Sequence, residues 1–559
     1  MKSLIATLLA LLASKATIFT SATKIKADFP GGSVVGTSAH GVETFNGIPF
    51  AEAPVGDLRL RPPKRYTDRL DNYDATGVAA ACPQLYISNE TTDLTSKLNI
   101  SALNIPFLDR LNGQEDCLTV SIQRPIGTRA GDDLPVLFWI YGGGFTLGAT
   151  NTYDATSLLT SAVSQGQPFV FVSVNYRING FGFLPGKEIL AEGAANIGLL
   201  DQRMALEWVA DNIQAFGGAA SKVTLWGESA GAMSGYMQML LFDGNATYNG
   251  KELFRGLIMD SGSIISAERV DSAKAQRVYD SVVQHAGCDR ESDTLQCLRQ
   301  LPYENFYKAV TSQPGFLSYS SAALSYPPRS DGVVLVDSPE VMTASGRMHK
   351  VPYILGDQED EGTLFSLFQS NITTTDSLVD YLSDLFFWRA TKKQIRALVE
   401  LYPTSISDGS PFRTGGLNEL YPGFKRLAAL LGDVTFTLTR RIALRMYNTQ
   451  APETPTWSYL ASYDHAVPIL GTYHAGDIGH IFLGILPSNS MKSCRTYYFN
   501  FLYNLDPNKG VGGYANWPRW SDKQQLMWFK TDSQNDILDD NFRESVANLL
   551  AQNSSLYQI

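Results

Sequence analysis

The sequence predicts an α/β fold with a large, mostly parallel central sheet covered by helices on both faces. Three observations predict it. First, uninterrupted apolar runs of strand length recur from Pro135 onward: Val136-Leu137-Phe138-Trp139-Ile140, Phe169 to Val174, Val223 to Trp226, Leu257-Ile258-Met259 and Val351 to Leu355. Such runs suit strands buried on both faces, as in a helix-covered parallel sheet. Second, helix-like segments lie between them, and strand–helix alternation is the signature of this class. Third, the run Val223 to Trp226 passes through Gly227-Glu228-Ser229-Ala230-Gly231 into a helix-compatible stretch from Ala232 to Phe242.

In chain order, Met1-Lys2 is followed by a short apolar core, Leu4 to Ala13, and then small residues. A positive start, an apolar centre and a small-residue exit predict a signal peptide over residues 1–22, cleaved after Ala16 or Ala22. The apolar core is too short to span a bilayer. No Pro-, Ser- or Gly-rich linker, charge block or repeat divides the rest, so 23–559 is expected to be a single domain. Residues 31–60 read as short strands and turns. From Asn196 to Phe216, Leu199, Leu206, Val209 and Ile213 fall on one helical face, and Leu200, Met204 and Trp208 on a second. Residues 374–450 read as mostly helical, Trp457-Ser458-Tyr459-Leu460 as a late strand, and the stretch from Gln524 as a terminal helix with a polar tail.

The 559-residue chain is 44% hydrophobic and 18% charged, a globular composition, with a net charge of −10. That balance argues against nucleic acid, which requires basic patches. No later run is long enough for a membrane span, so the mature chain is expected to be secreted and soluble. Of the five cysteines, spacing suggests the local pairs Cys82–Cys117 and Cys288–Cys297, although other pairings are possible, and Cys494 is left over. Without C-x-x-C or clustered His, a metal role is disfavoured. Sequons at Asn89, Asn99, Asn245, Asn371 and Asn553 mark expected glycosylation positions.

The chemistry centres on Ser229. Gly-Glu-Ser-Ala-Gly between a strand and a helix fits the nucleophile elbow, a tight turn that exposes a serine hydroxyl beside a helix N-terminus. Tyr141-Gly142-Gly143-Gly144-Phe145 ends the 136–140 strand, where a glycine run lets backbone N–H groups approach a ligand. Gly143 and Gly144, with Ala230, are the candidate donors of an oxyanion hole. A serine nucleophile also needs a base and an orienting acid. In the order Ser, acid, His, the later histidines are His349, His465, His474 and His480. His349 precedes a strand, the wrong end for a catalytic loop. His474 sits in a glycine-flanked loop, which favours it over His465 and His480. Asp357, Glu359, Asp360 and Glu361 all follow the 351–355 strand, and spacing alone does not choose among them.

These residues resemble the type-B carboxylesterase/lipase family, which includes cholinesterases and, nearer to this chain, secreted fungal lipases of the Geotrichum and Candida rugosa type. The resemblance covers essentially the whole mature chain. It rests on Asn46 to Ala51, Glu115-Asp116-Cys117-Leu118, Tyr141 to Phe145, Trp226 to Ala232, Gly356 to Thr363 and Gly471-Thr472-Tyr473-His474. It implies an α/β-hydrolase fold and a catalytic triad of Ser229, Glu361 and His474. It further implies that Ser261 supports the acid, that Phe365 lines the acyl pocket, and that Cys82–Cys117 and Cys288–Cys297 are disulfides. No metal or cofactor is expected.

The Cys82–Cys117 segment bears on substrate. Leu94, Leu98, Ile100, Leu103, Ile105, Phe107, Leu108 and Leu111 are interspersed with Asp93, Lys97, Asp109 and Arg110, and Pro106 can open a short helix. In the related lipases this loop is the lid, so an amphipathic cover over an apolar cleft, opening at a lipid–water interface, is expected here. No Trp lies between the two cysteines, which disfavours choline recognition. The expected activity is therefore triacylglycerol hydrolysis through an acyl-enzyme. Sterol esterase or general carboxylesterase activity is the alternative within the class, and a non-catalytic adhesion role the remote one.

Overall fold

A computed structural model describes residues 22–85, 113–530 and 534–559. The predicted signal segment, apart from its last residue, lies outside them. So do the apolar part of the Cys82–Cys117 loop, Asn89 and Asn99. The strands are β1 (Thr23–Phe29), β2 (Gly32–Ala39), β3 (Val42–Pro49), β4 (Leu70–Asp74), β5 (Thr119–Pro125), β6 (Leu134–Ile140), β7 (Val170–Val174) and β8 (Gly218–Glu228). They continue with a short hairpin, β9 (Thr247–Tyr248) and β10 (Lys251–Glu252), then β11 (Gly256–Asp260), β12 (Tyr353–Gln358), β13 (Thr456–Ala461), β14 (Gln525–Phe529) and β15 (Asp536–Asp539).

All but the hairpin join one sheet in the order β1-β2-β3-β5-β7-β6-β8-β11-β12-β13-β14-β15, with β4 beside β2. From β7 to β14 every neighbouring pair is parallel, while β1, β2, β3, β5 and β15 pair antiparallel along the path. The apolar runs are the central strands. Val170–Val174, Gly256–Asp260 and Tyr353–Gln358 are buried at every position. A strand buried on both faces must be covered on both sides, which is why these runs show no alternation.

The helix Ile197–Asn212 forms where predicted and closes with a 3₁₀ turn, Ile213–Phe216. Residues 374–450 are helical in separate pieces: Thr375–Tyr381, Lys392–Val399, Phe424–Gly432 and Leu438–Gln450. The stretch 400–423 carries Pro403, Pro411 and Pro422 and holds only one short 3₁₀ turn, Ile406–Asp408. A single π-turn, Asp433–Thr437, joins the last two helices.

The expected terminal helix from Gln524 is corrected. Gln525–Phe529 is a strand parallel to β13, and Asp536–Asp539 returns antiparallel to it. Helix begins only at Glu544 and runs to Gln552. The reason is burial: Leu526, Met527 and Phe529 are fully covered as the sheet extends past β13.

Both predicted disulfides are present, Cys82–Cys117 and Cys288–Cys297, and Cys494 is a buried thiol. The first ties the start and end of the long loop to the strand entering the core. Asn245 and Asn371 are exposed, whereas Asn553 is half-buried with its amide donating to the Leu549 carbonyl. Among the described residues no helix is long and apolar enough to cross a membrane.

A charged knot fixes the C-terminal segment to the sheet. Arg440 donates to Asp357 at 2.8 Å and to both oxygens of Asp540, and Arg441 also reaches Asp540. All four side chains are fully buried. Burial alone would push the Asp540 carboxyl up, but Arg440 and Arg441 overcome it and hold the group well below the usual carboxylate range. A carboxyl with a lowered folded pKa stabilises the fold above its unfolded value and loses that contribution as pH falls through the folded one. Asp540→Ala is therefore expected to cost about 3–5 kcal/mol near neutral pH, by leaving two buried guanidinium groups short of a partner. It should also flatten the acid-side loss of stability. Urea denaturation of both proteins at neutral and acidic pH checks this; equal midpoints at neutral pH would contradict it.

Candidate active site

Four turns at the C-terminal ends of the parallel strands converge. β8 ends in the elbow, where Ser229 adopts φ 56° and ψ −124°, and the helix Ala230–Gly244 follows at once. The elbow is locked by its own backbone: the Ser229 N–H donates to the Asp260 carbonyl at the end of β11, at 2.8 Å. Gly231 is required by close approach, because a Cβ there would stand 1.9 Å from the Ile140 carbonyl oxygen of β6. That contact brings the elbow against the loop after β6. In this loop Gly143 (φ 109°) and Gly144 (φ 61°) take left-handed conformations that favour glycine. The backbone N–H groups of Gly143, Gly144 and Ala230 donate to no other described residue.

The loop after β12 carries Glu361 and the loop after β13 carries His474. Nε2 of His474 lies 2.8 Å from Ser229 Oγ, and Nδ1 lies 2.6 Å from Glu361 Oε2. Glu361 Oε1 accepts the N–H of Gln358 at 2.7 Å. Glu361 is 1% and His474 2% exposed, while Ser229 keeps 7%. The serine is thus the least covered of the three. An imidazole held between a hydroxyl and a buried carboxylate can accept the hydroxyl proton while the carboxylate fixes its tautomer.

Of the alternatives left open by spacing, His465 has its Nδ1 buried without a hydrogen-bond partner, and the others are engaged elsewhere. Asp357 pairs with Arg440 and Glu359 with Arg413. Asp360 accepts from Ser410 Oγ and from the N–H groups of Phe412 and Thr472, holding the two catalytic-side loops together. His480 pairs with Asp464 at 2.9 Å, and His349 reaches the Phe254 carbonyl. Glu359, Asp360 and His465 bring one ligand atom each within 4.8 Å of one another. With Arg413 on Glu359 and three donors on Asp360, a cation there would have to displace existing partners.

One expectation is corrected. Ser261 does not bond to Glu361: its hydroxyl is buried without a hydrogen-bond partner. The hydrogen bonds on Glu361 come from His474 and Gln358, and Ser261 sits in a left-handed turn (φ 55°) with its N–H on the Gly356 carbonyl. Its contribution is to the turn backbone, next to Asp260.

Beside Ser229 lies a small apolar cavity of about 20 Å³, with Met233, Phe316, Leu324, Phe365, Thr435 and Phe436 in its wall. Phe365 is part of that wall. Its ring centre is 5.1 Å from that of His474, and Phe436 approaches the imidazole from another side at 4.5 Å. Phe436 was not legible in the sequence, since it comes from the π-turn 433–437, distant from every motif. Met233 had a local signal: it stands four residues after Ser229, one helical turn on.

Helix-flanked parallel strands with a serine, histidine and acid at their C-terminal ends define an α/β-hydrolase of the serine type. Residues 21–550 match the carboxylesterase family, and the chain belongs to that family and is a carboxylic ester hydrolase. It is 57% identical over 95% of its length to the secreted triacylglycerol lipase LIP1 of Gibberella zeae, covering 91% of that protein. It is 39% identical to lipase 2 of Geotrichum candidum over 91% of its own length and 92% of the other. Aspergillus niger EstA shares the fold, with a TM-score of 0.81 and 24% identity, over 96% of this chain and 99% of that structure.

Glu361→Gln keeps the size of the acid but loses its charge. It is expected to lower kcat by about a thousandfold or more with a much smaller change in KM, because the wrong imidazole tautomer is favoured and the imidazolium loses its counter-charge. Steady-state kinetics on a soluble p-nitrophenyl ester checks this; a loss below about tenfold would contradict it.

Proposed function

We propose that this protein is a secreted triacylglycerol lipase that cleaves long-chain acyl esters through an acyl-enzyme on Ser229. The observation that carries the reading is the single imidazole bridging the Ser229 hydroxyl and the Glu361 carboxylate at 2.8 and 2.6 Å. In the first half-reaction Ser229 Oγ attacks the ester carbonyl as its proton passes to His474 Nε2. The carbonyl oxygen becomes an oxyanion, received by the N–H groups of Gly143, Gly144 and Ala230; one such donor is typically worth about 3 kcal/mol in the transition state. The imidazolium then protonates the leaving alcohol. In the second half, water gives its proton to His474 and attacks the acyl carbon, and Ser229 leaves with that proton restored.

The long-chain preference is supported by the aromatic cavity beside Ser229, which offers an acyl chain Phe365 and Phe436 and few polar groups. The likeness to a protein named as a secreted triacylglycerol lipase supports the triacylglycerol reading. The apolar residues between Cys82 and Cys117 support a lid that uncovers the cleft at a lipid–water interface. The N-terminal apolar segment supports export, and the exposed sequons Asn245 and Asn371 are suited to glycans.

Ser229→Ala is expected to abolish hydrolysis of both an emulsified long-chain triacylglycerol and a p-nitrophenyl ester while leaving the melting midpoint intact. Undiminished turnover would overturn the nucleophile assignment. The wild-type enzyme is further expected to show a rise in specific rate when a triacylglycerol passes from monomeric solution to emulsion. A rate that ignores the interface, with short soluble esters strongly preferred, would instead favour a general carboxylesterase. Faster turnover of cholesteryl esters than of triacylglycerols would favour a sterol esterase.

A further inference from the structure

The loop that carries His474 is joined to itself by a second histidine–carboxylate pair. Asp464 comes before His474 in this loop and His480 after it. Nε2 of His480 stands 2.9 and 3.0 Å from the two oxygens of Asp464. A carboxylate only accepts, so Nε2 carries the proton of this bond. Both side chains are 16% exposed, too well covered for the pair to be screened as a surface one is. The Tyr463 ring packs edge-on against the imidazole, with ring centres 4.9 Å apart.

Asp464 meets the loop on both sides of His474. Its N–H donates to Thr472 Oγ1 at 3.2 Å, just before His474. Its carboxylate faces Gly476, just after, where a Cβ would stand 3.2 Å from Oδ2. Between His474 and Gly476, Ala475 takes a left-handed conformation (φ 66°). Alanine does not settle there unaided, so the surrounding contacts must hold it. The entry side of the loop has further ties. Thr363 Oγ1 donates to the Leu470 carbonyl, and the Thr472 N–H donates to Asp360. Past His474, Phe482 packs on Trp139, Phe171 and Trp226, and Arg495 donates to the Ile481 and Phe482 carbonyls. His480 stands next to this anchored end and reaches back to Asp464, so it links the exit of the loop to its entry.

We propose that His480 is a positioning residue for His474: through its bond to Asp464 it closes the loop on itself and holds the imidazole at its working distance from Ser229. The inference rests on the ester-hydrolysis reading above. His480 acts through the loop backbone, and its own proton stays on Nε2 throughout. His474 must take the Ser229 proton and pass it to the leaving oxygen, so its ring has to keep the 2.8 Å approach while charge develops. Glu361 grips that ring at Nδ1, and the loop backbone sets where the Nε2 edge points. A displacement of about 1 Å at a reacting group can cost about a hundredfold in rate.

His480→Phe, His480→Gln, Asp464→Ala and the double variant of Phe with Ala test this, through kcat and KM on a soluble p-nitrophenyl ester and melting midpoints. Phe keeps a ring against Tyr463 and loses the N–H. It is expected to lower kcat about 5- to 30-fold with KM within about threefold. Gln, whose amide N–H can reach the same carboxylate, is expected to return kcat to within about threefold of the wild type. Asp464→Ala should be about as slow as His480→Phe, and the double variant within about twofold of either, because both changes remove one interaction. Lower midpoints with wild-type kcat in His480→Phe would mark a purely structural role and overturn the proposal. So would a Gln variant as slow as Phe, or losses that multiply in the double variant. If His480→Phe does not fold, Asp464→Asn decides against Asp464→Ala. The Asn carbonyl still accepts the N–H, so a kcat near that of the wild type supports the proposal and a loss equal to that of Ala overturns it. Failure of the underlying reading is separately visible, as turnover that persists in Ser229→Ala.

Discussion

The parallel pairing of β6 with β8 is the constraint on which the rest of the site depends. Their register sets Trp139 opposite Trp226 and Ile140 opposite Gly227. One step beyond, the two strands end side by side, one in the glycine loop and the other in the elbow. Gly231 then packs directly on the Ile140 carbonyl, so a hydroxyl and a row of backbone N–H groups are held within reach of one acyl carbon. No side chain could reproduce that placement, since the donors belong to the backbone and their direction is set by the sheet. A shift of one residue in this register would turn the loop and the elbow to opposite faces.

The next strands out supply the remaining groups by the same logic. β11 lends a carbonyl to the Ser229 N–H and places Asp260 behind it, β12 ends at Glu361, and β13 leads to His474. The acid and base loops are long, and Asp360 ties them together through Ser410, Phe412 and Thr472. Its three partners give a buried carboxyl a structural purpose one residue away from a catalytic candidate. The aromatic cavity is then closed from a different direction by the π-turn 433–437. That turn sets Phe436 against both His474 and Phe365.

What was legible in the sequence follows this division. Groups fixed by local backbone could be read directly: the elbow at Ser229, the glycine loop, and the buried strands as unbroken apolar runs. The acid could not be separated from Asp357, Glu359 and Asp360 by spacing, because four carboxylates in five residues differ only in what each meets across the fold. The family likeness supplied Glu361 and His474, and their distances to each other and to Ser229 agree with that choice. The same likeness offered Ser261 as a partner for the acid, and here the hydroxyl has none. Phe436 and the strand Gln525–Phe529 were missed for related reasons. One depends on a π-turn far from any motif, and the other on a sheet extending beyond the last strand the sequence announced.

The central claim is that one oxyanion pocket, one nucleophile and one acyl cavity meet at Ser229. A crystal structure of the enzyme inactivated by a long-chain alkylphosphonate ester tests it most directly. The account predicts a bond from Ser229 Oγ to phosphorus. It also predicts the phosphonyl oxygen within about 3 Å of the N–H groups of Gly143, Gly144 and Ala230, and the alkyl chain against Phe365 and Phe436. A phosphonyl oxygen turned away from those N–H groups, or phosphorus bound to a different residue, would contradict it.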